Sequence, residues 1–395
     1  MKIEHIDKLI ATYREGLLND TIPFWLKHGL DHEHGGIMTC LDRDGTVIDT
    51  DKNMWQQGRF AWTMANLYNT VEQRPEWLAA AKSSIDFLLE HGFDKNDGRM
   101  FFHVTREGRP IRKRRYAFAE SFAAIGLAAY AKATGEMQYQ ERAIECYREF
   151  VHHMTTPGAI PPKQTGERPM KSLATPMIMI VTAQVLRDTI EMEGATEQID
   201  ACIEDISNNF MKPELEAVME AVTPEGGISD HADGRLLTPG HAIEAAWFIL
   251  NEAKHRGNDP ELIRIGTTIL DWMWKRGWDE EYGGILYFRD VKGLPVQEYW
   301  HDMKFWWPHN ETIIATLLAY QLTGDKKYAE WHKMVHDWTY DKFPDKEKGE
   351  WYGYLHRDGR ISVPLKGNMW KGPFHMPRMQ RVCWKILEEM KPERI

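Results

Sequence analysis

Asp31-His32-Glu33-His34-Gly35-Gly36-Ile37 is not a solitary loop in this 395-residue chain. Asp94-Lys95-Asn96-Asp97-Gly98 echoes it. So do Pro224-Glu225-Gly226-Gly227-Ile228, Asp279-Glu280-Glu281-Tyr282-Gly283-Gly284-Ile285 and Asp345-Lys346-Glu347-Lys348-Gly349-Glu350. The steps between them are 63, 130, 55 and 66 residues, and the long step is two periods with Thr156-Pro157-Gly158 in its gap. Six repeats of roughly 63 residues thus cover almost the whole chain, and a fixed period is the signature of stacked supersecondary units.

The 3.6-residue apolar period fills each repeat with two helices. Helices are expected over 4–27, 54–73, 76–91, 117–134, 137–154, 173–192, 195–211, 239–256, 260–276, 308–323, 326–342 and 373–391. Short breakers such as Arg74-Pro75, Asn258-Asp259-Pro260 and Thr323-Gly324-Asp325 join helix to helix. The long Gly-rich links carry aromatic and β-branched runs, read as short strands: Ile37-Met38-Thr39, Ile285-Leu286-Tyr287-Phe288 and Trp351-Tyr352-Gly353-Tyr354. Six hairpins can stack as a solenoid or close into a ring. Closure is favoured, because the chemically interesting residues gather at alternate helix starts: Ser172-Leu173-Ala174-Thr175-Pro176, Thr238-Pro239, Trp307-Pro308 and Gly372-Pro373. The expected fold is all-α: one (α/α)6-barrel domain over 1–395, with short strands in the long loops.

Hydrophobic content of 43% and charged content of 27% fit a soluble globular protein, and a net charge of −10 argues against a nucleic-acid partner. The basic run Arg112-Lys113-Arg114-Arg115 reads as a solvated loop. Cys40, Cys146, Cys202 and Cys383 have neither metal nor disulfide spacing. With no apolar leader at Met1-Lys2-Ile3-Glu4-His5-Ile6-Asp7 and no run able to span a membrane, the expectation is a cytoplasmic protein. Sixteen tryptophans and 17 histidines are an unusual supply of rings for stacking on sugars and of groups for proton transfer.

Two helix starts share a device. In Thr238-Pro239-Gly240-His241-Ala242-Ile243-Glu244-Ala245-Ala246-Trp247, Thr238 is the expected N-cap and Pro239 the first helical residue. His241 falls in the first turn, with Glu244 and Trp247 on its face. In Gly372-Pro373-Phe374-His375-Met376-Pro377-Arg378, Pro again stands two residues before His. The dipole at such a start disfavours imidazolium, leaving the neutral form that a general base needs. Arg59 lies between Trp55 and Trp62 at another inner helix start, able to stack while its fork binds oxygen. His309 and Glu311 follow Trp307 at a further one. His32 with His34, and His152 with His153, lack further ligands at metal spacing and read as surface residues, so no metal is expected. Neither a phosphate-cradling glycine motif nor a G-x-S-x-G elbow is present. Two neutral-leaning histidines with an arginine and a glutamate suggest proton abstraction beside a carbonyl. Two bases on opposite faces of a carbon can invert it, a cation stabilising the enolate between the steps.

Several motifs resemble the N-acylglucosamine 2-epimerase (renin-binding protein) family: Lys304-Phe305-Trp306-Trp307-Pro308-His309-Asn310-Glu311, Gly349-Glu350-Trp351-Tyr352-Gly353-Tyr354-Leu355 and Lys371-Gly372-Pro373-Phe374-His375-Met376-Pro377-Arg378. Gln57-Gly58-Arg59, Pro239-Gly240-His241-Ala242-Ile243-Glu244 and Arg168-Pro169-Met170-Lys171-Ser172-Leu173-Ala174-Thr175-Pro176-Met177 extend the resemblance along the full length. It implies a barrel that interconverts N-acyl-D-glucosamine and N-acyl-D-mannosamine, with His241 and His375 as acid and base. Arg59 is implied at the oxygens near C1 and C2, and Glu244 and Glu311 as orienting carboxylates; His309, by its position at an inner helix start, and Trp307 and Trp55 beside these groups are expected as further substrate-binding residues. The resemblance further implies a homodimer and no required cofactor, with ATP as an allosteric activator. Relatives acting on free sugars, of the cellobiose or mannose type, carry an extra pocket histidine on the sixth helix where this chain has Met177 or Met179. Rival readings are such a free-sugar epimerase or isomerase, a glycoside hydrolase or lyase on the same barrel, and a non-catalytic renin-binding-like protein.

Overall fold

The computed structural model describes residues 3–114 and 116–391; Met1 and Lys2 at the start and Arg115 of the basic run lie outside the described residues. In chain order the helices are α1 (Ile3–Glu15), α2 (Ile22–His28), α3 (Met54–Thr70), α4 (Pro75–His91), α5 (Phe118–Thr134), α6 (Met137–Thr155) and α7 (Ala174–Ile190). They continue as α8 (Ala195–Asp205), the single turn α9 (Ala232–Arg235), α10 (Pro239–His255), α11 (Pro260–Gly277), α12 (Trp306–Thr323), α13 (Lys326–Lys342) and α14 (His375–Glu389). Helices α3, α5, α7, α10, α12 and α14 form an inner ring, each backed by an outer helix, with α1 backing α14. This is an (α/α)6 barrel.

Burial separates the rings. Every residue of α12 from Trp306 to Ala319 is buried, because that helix has neighbours on nearly all sides. On α13 only the stripe Tyr328, His332, Val335, His336 and Thr339 is buried. The tightest inner crossing is α3 on α5. A Cβ added to Gly58 would stand 2.4 Å from the Phe122 carbonyl oxygen, so only glycine permits that approach.

The repeated loops have a repeated anatomy. Lys52 Nζ donates to buried Asp31, and Arg106 of the next loop completes the cluster. The same trio recurs as Asp279, Lys304 and Arg357, and as Asp345, Lys366 and Arg43. The last joins the sixth repeat to the first. A second device caps the amide that follows the glycine turn. Gln57 Oε1 accepts from Ile37 N (2.8 Å), Glu120 Oε1 from Met100 N (2.9 Å) and His309 Nε2 from Ile285 N (2.9 Å). The ring also closes at Tyr13 of α1, whose hydroxyl lies 2.9 Å from His336 Nδ1 and 3.3 Å from His332 Nε2 of α13.

Helix boundaries differ from expectation, and four of the differences bear on the fold. The stretch 4–27 is interrupted by a π-helical segment, Gly16–Thr21, which lets Pro23 enter the first turn of α2, where its missing N–H costs nothing. The stretch 195–211 likewise ends in a π segment, Ile206–Phe210. Helix α12 begins two residues early, at Trp306, so Pro308 falls inside its first turn. Helix α14 begins only at His375; Pro373 stands in the preceding turn, with Phe374 N bonded to the Gly372 carbonyl. The strand-like runs form single bridges, Leu30 to Ile37, Trp278 to Ile285 and Pro344 to Trp351, or ladders such as Lys304–Phe305 with Tyr354–Leu355. Among the described residues no helix is long and apolar enough to cross a membrane.

Candidate active site

The inner helix starts do open into one mouth. A cavity of about 1080 Å³ is lined there by Trp55 and Arg59 of α3, Met177 of α7, His241 and Glu244 of α10, Trp307 of α12, and His375 and Arg378 of α14. Of the two methionines on the sixth expected helix, Met177 is the one on the wall. The indole of Trp307 bridges the two histidines, 4.9 Å centroid to centroid from His241 and 5.8 Å from His375.

His241 departs from the dipole expectation. Its Nδ1 lies 3.0 and 3.1 Å from the two carboxylate oxygens of Glu220, a residue of the loop before α10. Burial works to lower the His241 pKa, but the Glu220 charge and hydrogen bond, with Glu244 adding, raise it above the ordinary imidazole value. A full carboxylate at contact outweighs the fractional charge of a helix end. Thr238 takes the N-cap position, but its side chain makes no capping bond.

His375 is biased the other way. Burial drives its pKa well below the ordinary value, and Arg378 and Arg59 add to this against Glu244. Its Nδ1 sits 2.7 Å from Glu311 Oε1, which also accepts from Arg378 Nη2 (2.7 Å), while Trp247 Nε1 donates to Glu311 Oε2 (2.7 Å). With Nδ1–H given to Glu311, the Nε2 lone pair of neutral His375 is left for chemistry. Glu244, Glu311 and His375 bring three ligand atoms within 4.8 Å of one another, a spacing that suits a metal. The Arg378 guanidinium binds both carboxylates and approaches His375 Nδ1, so the cation at this focus is built into the chain.

Arg59 is held by rings rather than by acids. Its guanidinium carbon lies 4.1 Å from the Phe122 centroid, 4.7 Å from Phe374 and 5.3 Å from Trp55. Its Nε is buried without a hydrogen-bond partner, and burial pushes its pKa down to about 9, with Arg378 opposing Glu244 and Glu311. A desolvated cation facing the cavity is poised for an oxyanion.

Two expected substrate contacts stand elsewhere. His309 is fully buried off the cavity wall, stacked on Trp338 at 4.9 Å, with Nδ1 2.6 Å from the Phe305 carbonyl and Nε2 accepting from Ile285. Burial lowers its pKa to about 3, so it stays neutral as a loop cap equivalent to Gln57 and Glu120. Glu311 is also fully buried and meets the cavity through His375, Arg378 and Trp247. Sequence reasoning missed the roles of Arg378 and Glu220. Arg378 carried a signal, its three-residue spacing from His375. Glu220 carried none, being placed by the ladder of Lys171–Ser172 with Ala221–Val222. His32, His34 and His152 are exposed.

One imidazole leaning neutral, one leaning charged and an unpaired guanidinium in a single cavity can remove a proton beside a carbonyl, hold the oxyanion and return a proton.

The profile of the N-acylglucosamine 2-epimerase (GlcNAc 2-epimerase) family matches residues 35–375. N-acylglucosamine 2-epimerase from Rattus norvegicus is 37% identical over 379 residues, covering 94% of this chain and 90% of the rat protein. Cellobiose 2-epimerase from Dictyoglomus turgidum is 23% identical, over 95% of this chain and 97% of its own. The structure of cellobiose 2-epimerase from Spirochaeta thermophila superposes with a TM-score of 0.85 at 19% identity, over 98% of each chain. On this family-wide match and on the barrel it predicts, the chain belongs to the N-acylglucosamine 2-epimerase family.

Proposed function

We propose that this chain is a sugar epimerase that interconverts N-acyl-D-glucosamine and N-acyl-D-mannosamine by inverting C2. The observation that carries the reading is the pair of imidazoles flanking Trp307 with opposite charge bias. Once the sugar ring has opened, C1 is an aldehyde and the C2 proton is acidified. Neutral His375 takes that proton at Nε2, the C2–H electron pair moves into the C1–C2 bond, and the negative charge develops on O1. Arg59 stabilises that oxygen. His241, kept protonated by Glu220, delivers its proton to the opposite face of C2, and the aldehyde re-forms. The reverse reaction uses the same groups with roles exchanged.

Substrate choice within this reading rests on Met177, a non-basic residue on the wall, and on 37% identity to the rat N-acylglucosamine enzyme against 23% to the cellobiose enzyme. Glycoside hydrolysis needs two carboxylates facing each other across a scissile bond. Here Glu244 and Glu311 share one guanidinium instead. ATP enters only as an allosteric activator, since inversion at C2 moves a proton and no phosphoryl group. A cytoplasmic homodimer completes the reading.

The test is incubation with N-acetylmannosamine in deuterated water, followed by NMR at C2. Deuterium at C2 of N-acetylglucosamine supports the proposal. Binding without exchange, or conversion of free mannose alone, overturns it.

A further inference from the structure

The cavity is longer than one sugar. On α10 its wall runs from His241 to Lys254, which spans about 20 Å at the helical rise, whereas a hexose is only about a third of that length. The charges along the lower part of this wall are paired, with one exception. Lys254 bonds Glu389, Lys385 bonds Glu388, and Asp188 bonds Arg187. Arg381 lines the same cavity one turn below Arg378 on α14, and among the described residues no acidic side chain pairs with it. Its Nε is shut off from solvent without a hydrogen-bond partner. Burial, with Arg378 adding, pushes its pKa down to about 10, so the charge is retained at neutral pH at a cost in desolvation.

We propose that Arg381 is the anchor of an anion-binding site in the lower cavity, below the His241–His375 pair, for a small oxyanion of the phosphate monoester or carboxylate type. A planar guanidinium offers two parallel donors to such a group, and the charge match relieves the cation that, among the described residues, is left unpaired in the lower cavity. The anion arrives either as a separate ion or as a substituent on the hexosamine.

Calorimetric titration of the full chain with inorganic phosphate at low ionic strength tests the site without any turnover, so its outcome is independent of the epimerase reading. The expected result is saturable binding that weakens at least tenfold in Arg381→Met and is partly retained in Arg381→Lys, with both variants showing wild-type circular dichroism. If the Met variant fails to fold, the Lys variant carries the comparison, because a point charge loses the bidentate geometry. No saturable binding at millimolar phosphate, or equal affinity in wild type and the folded variants, overturns the proposal. Repeating the titration with saturating N-acetylmannosamine separates the sources. Phosphate displaced by the sugar marks a substituent subsite, and phosphate retained marks a separate ion beneath it.

Discussion

Glu220 stands 3.0 Å from His241 Nδ1 and, among the described residues, bonds no arginine, whereas Glu311, 2.7 Å from His375 Nδ1, is also bound by Arg378. The difference sets the roles of the two rings. Arg378 neutralises Glu311, so that carboxylate orients His375 without drawing a proton onto Nε2. Glu220 orients His241 and also favours its cation.

Glu220→Gln keeps a hydrogen-bonding side chain but removes the charge that raises His241. The expected result is a fall in kcat of about tenfold, the scale of one charge-assisted hydrogen bond. The alkaline limb of the pH–rate profile should move to lower pH, because imidazolium is lost earlier. An unchanged limb would make Glu220 a purely structural neighbour.

His241→Ala and His375→Ala should each lower epimerisation by about 10²- to 10⁴-fold, the range of general acid–base catalysis, with circular dichroism unchanged. The double variant should be little worse than either single one, since inversion needs both groups. Full turnover by either variant strikes that histidine from the mechanism.

Arg59→Lys tests whether the three rings hold a planar fork or only a charge. A lysine cannot fill the stacked site, so kcat should drop by more than the melting temperature would suggest. A wild-type rate would leave Arg59 with a packing role.

The architecture was legible because its signals are local. A glycine turn, a proline at a helix start and a 3.6-residue stripe are each written within a few residues; the period showed six hairpins, and the polar residues at alternate helix starts pointed to a closed ring. The π segment at Gly16–Thr21 was not legible, because it answers to Gln380 and Pro23 packing around it. His241 and His375 could be read from helix starts, but Glu220 reaches His241 through a loop path that no spacing encodes. His309 was misread for a related reason. Its helix start resembles those of His241 and His375, yet it stands where Gln57 and Glu120 stand in their repeats, and superimposing the repeats would have exposed it as a cap.

His309→Ala should therefore damage stability and spare chemistry. It orphans the Ile285 amide and opens a cavity against Trp338, a loss of about 2–4 kcal/mol. The folded fraction should keep its kcat. A large fall in kcat with an unchanged denaturation midpoint would restore His309 to the active site.

Acid should loosen the ring before it titrates the buried carboxylates. His309, His332 and His336 are held neutral by burial, with pKa values lowered to about 3, 3 and 4. The unfolded chain binds protons at these sites near pH 6.5, so their contribution is complete above that value and is lost as pH falls toward 4. Each changes stability by up to about 1.4 kcal/mol per pH unit in that window. His241, shifted upward, works in the opposite direction, but His375, also lowered by burial, joins the three and the balance stays with them. Asp31, Asp279 and Asp345 are held low against burial by their lysine and arginine partners, so their stabilisation survives until lower pH. A urea midpoint that holds above about pH 6.5 and falls steadily from there to about pH 5 thus reports the histidines. Replacing His336 by Gln, which keeps a partner for Tyr13, should flatten that slope, whereas a midpoint that is flat in the wild type would mean that these rings are already solvated in the folded state.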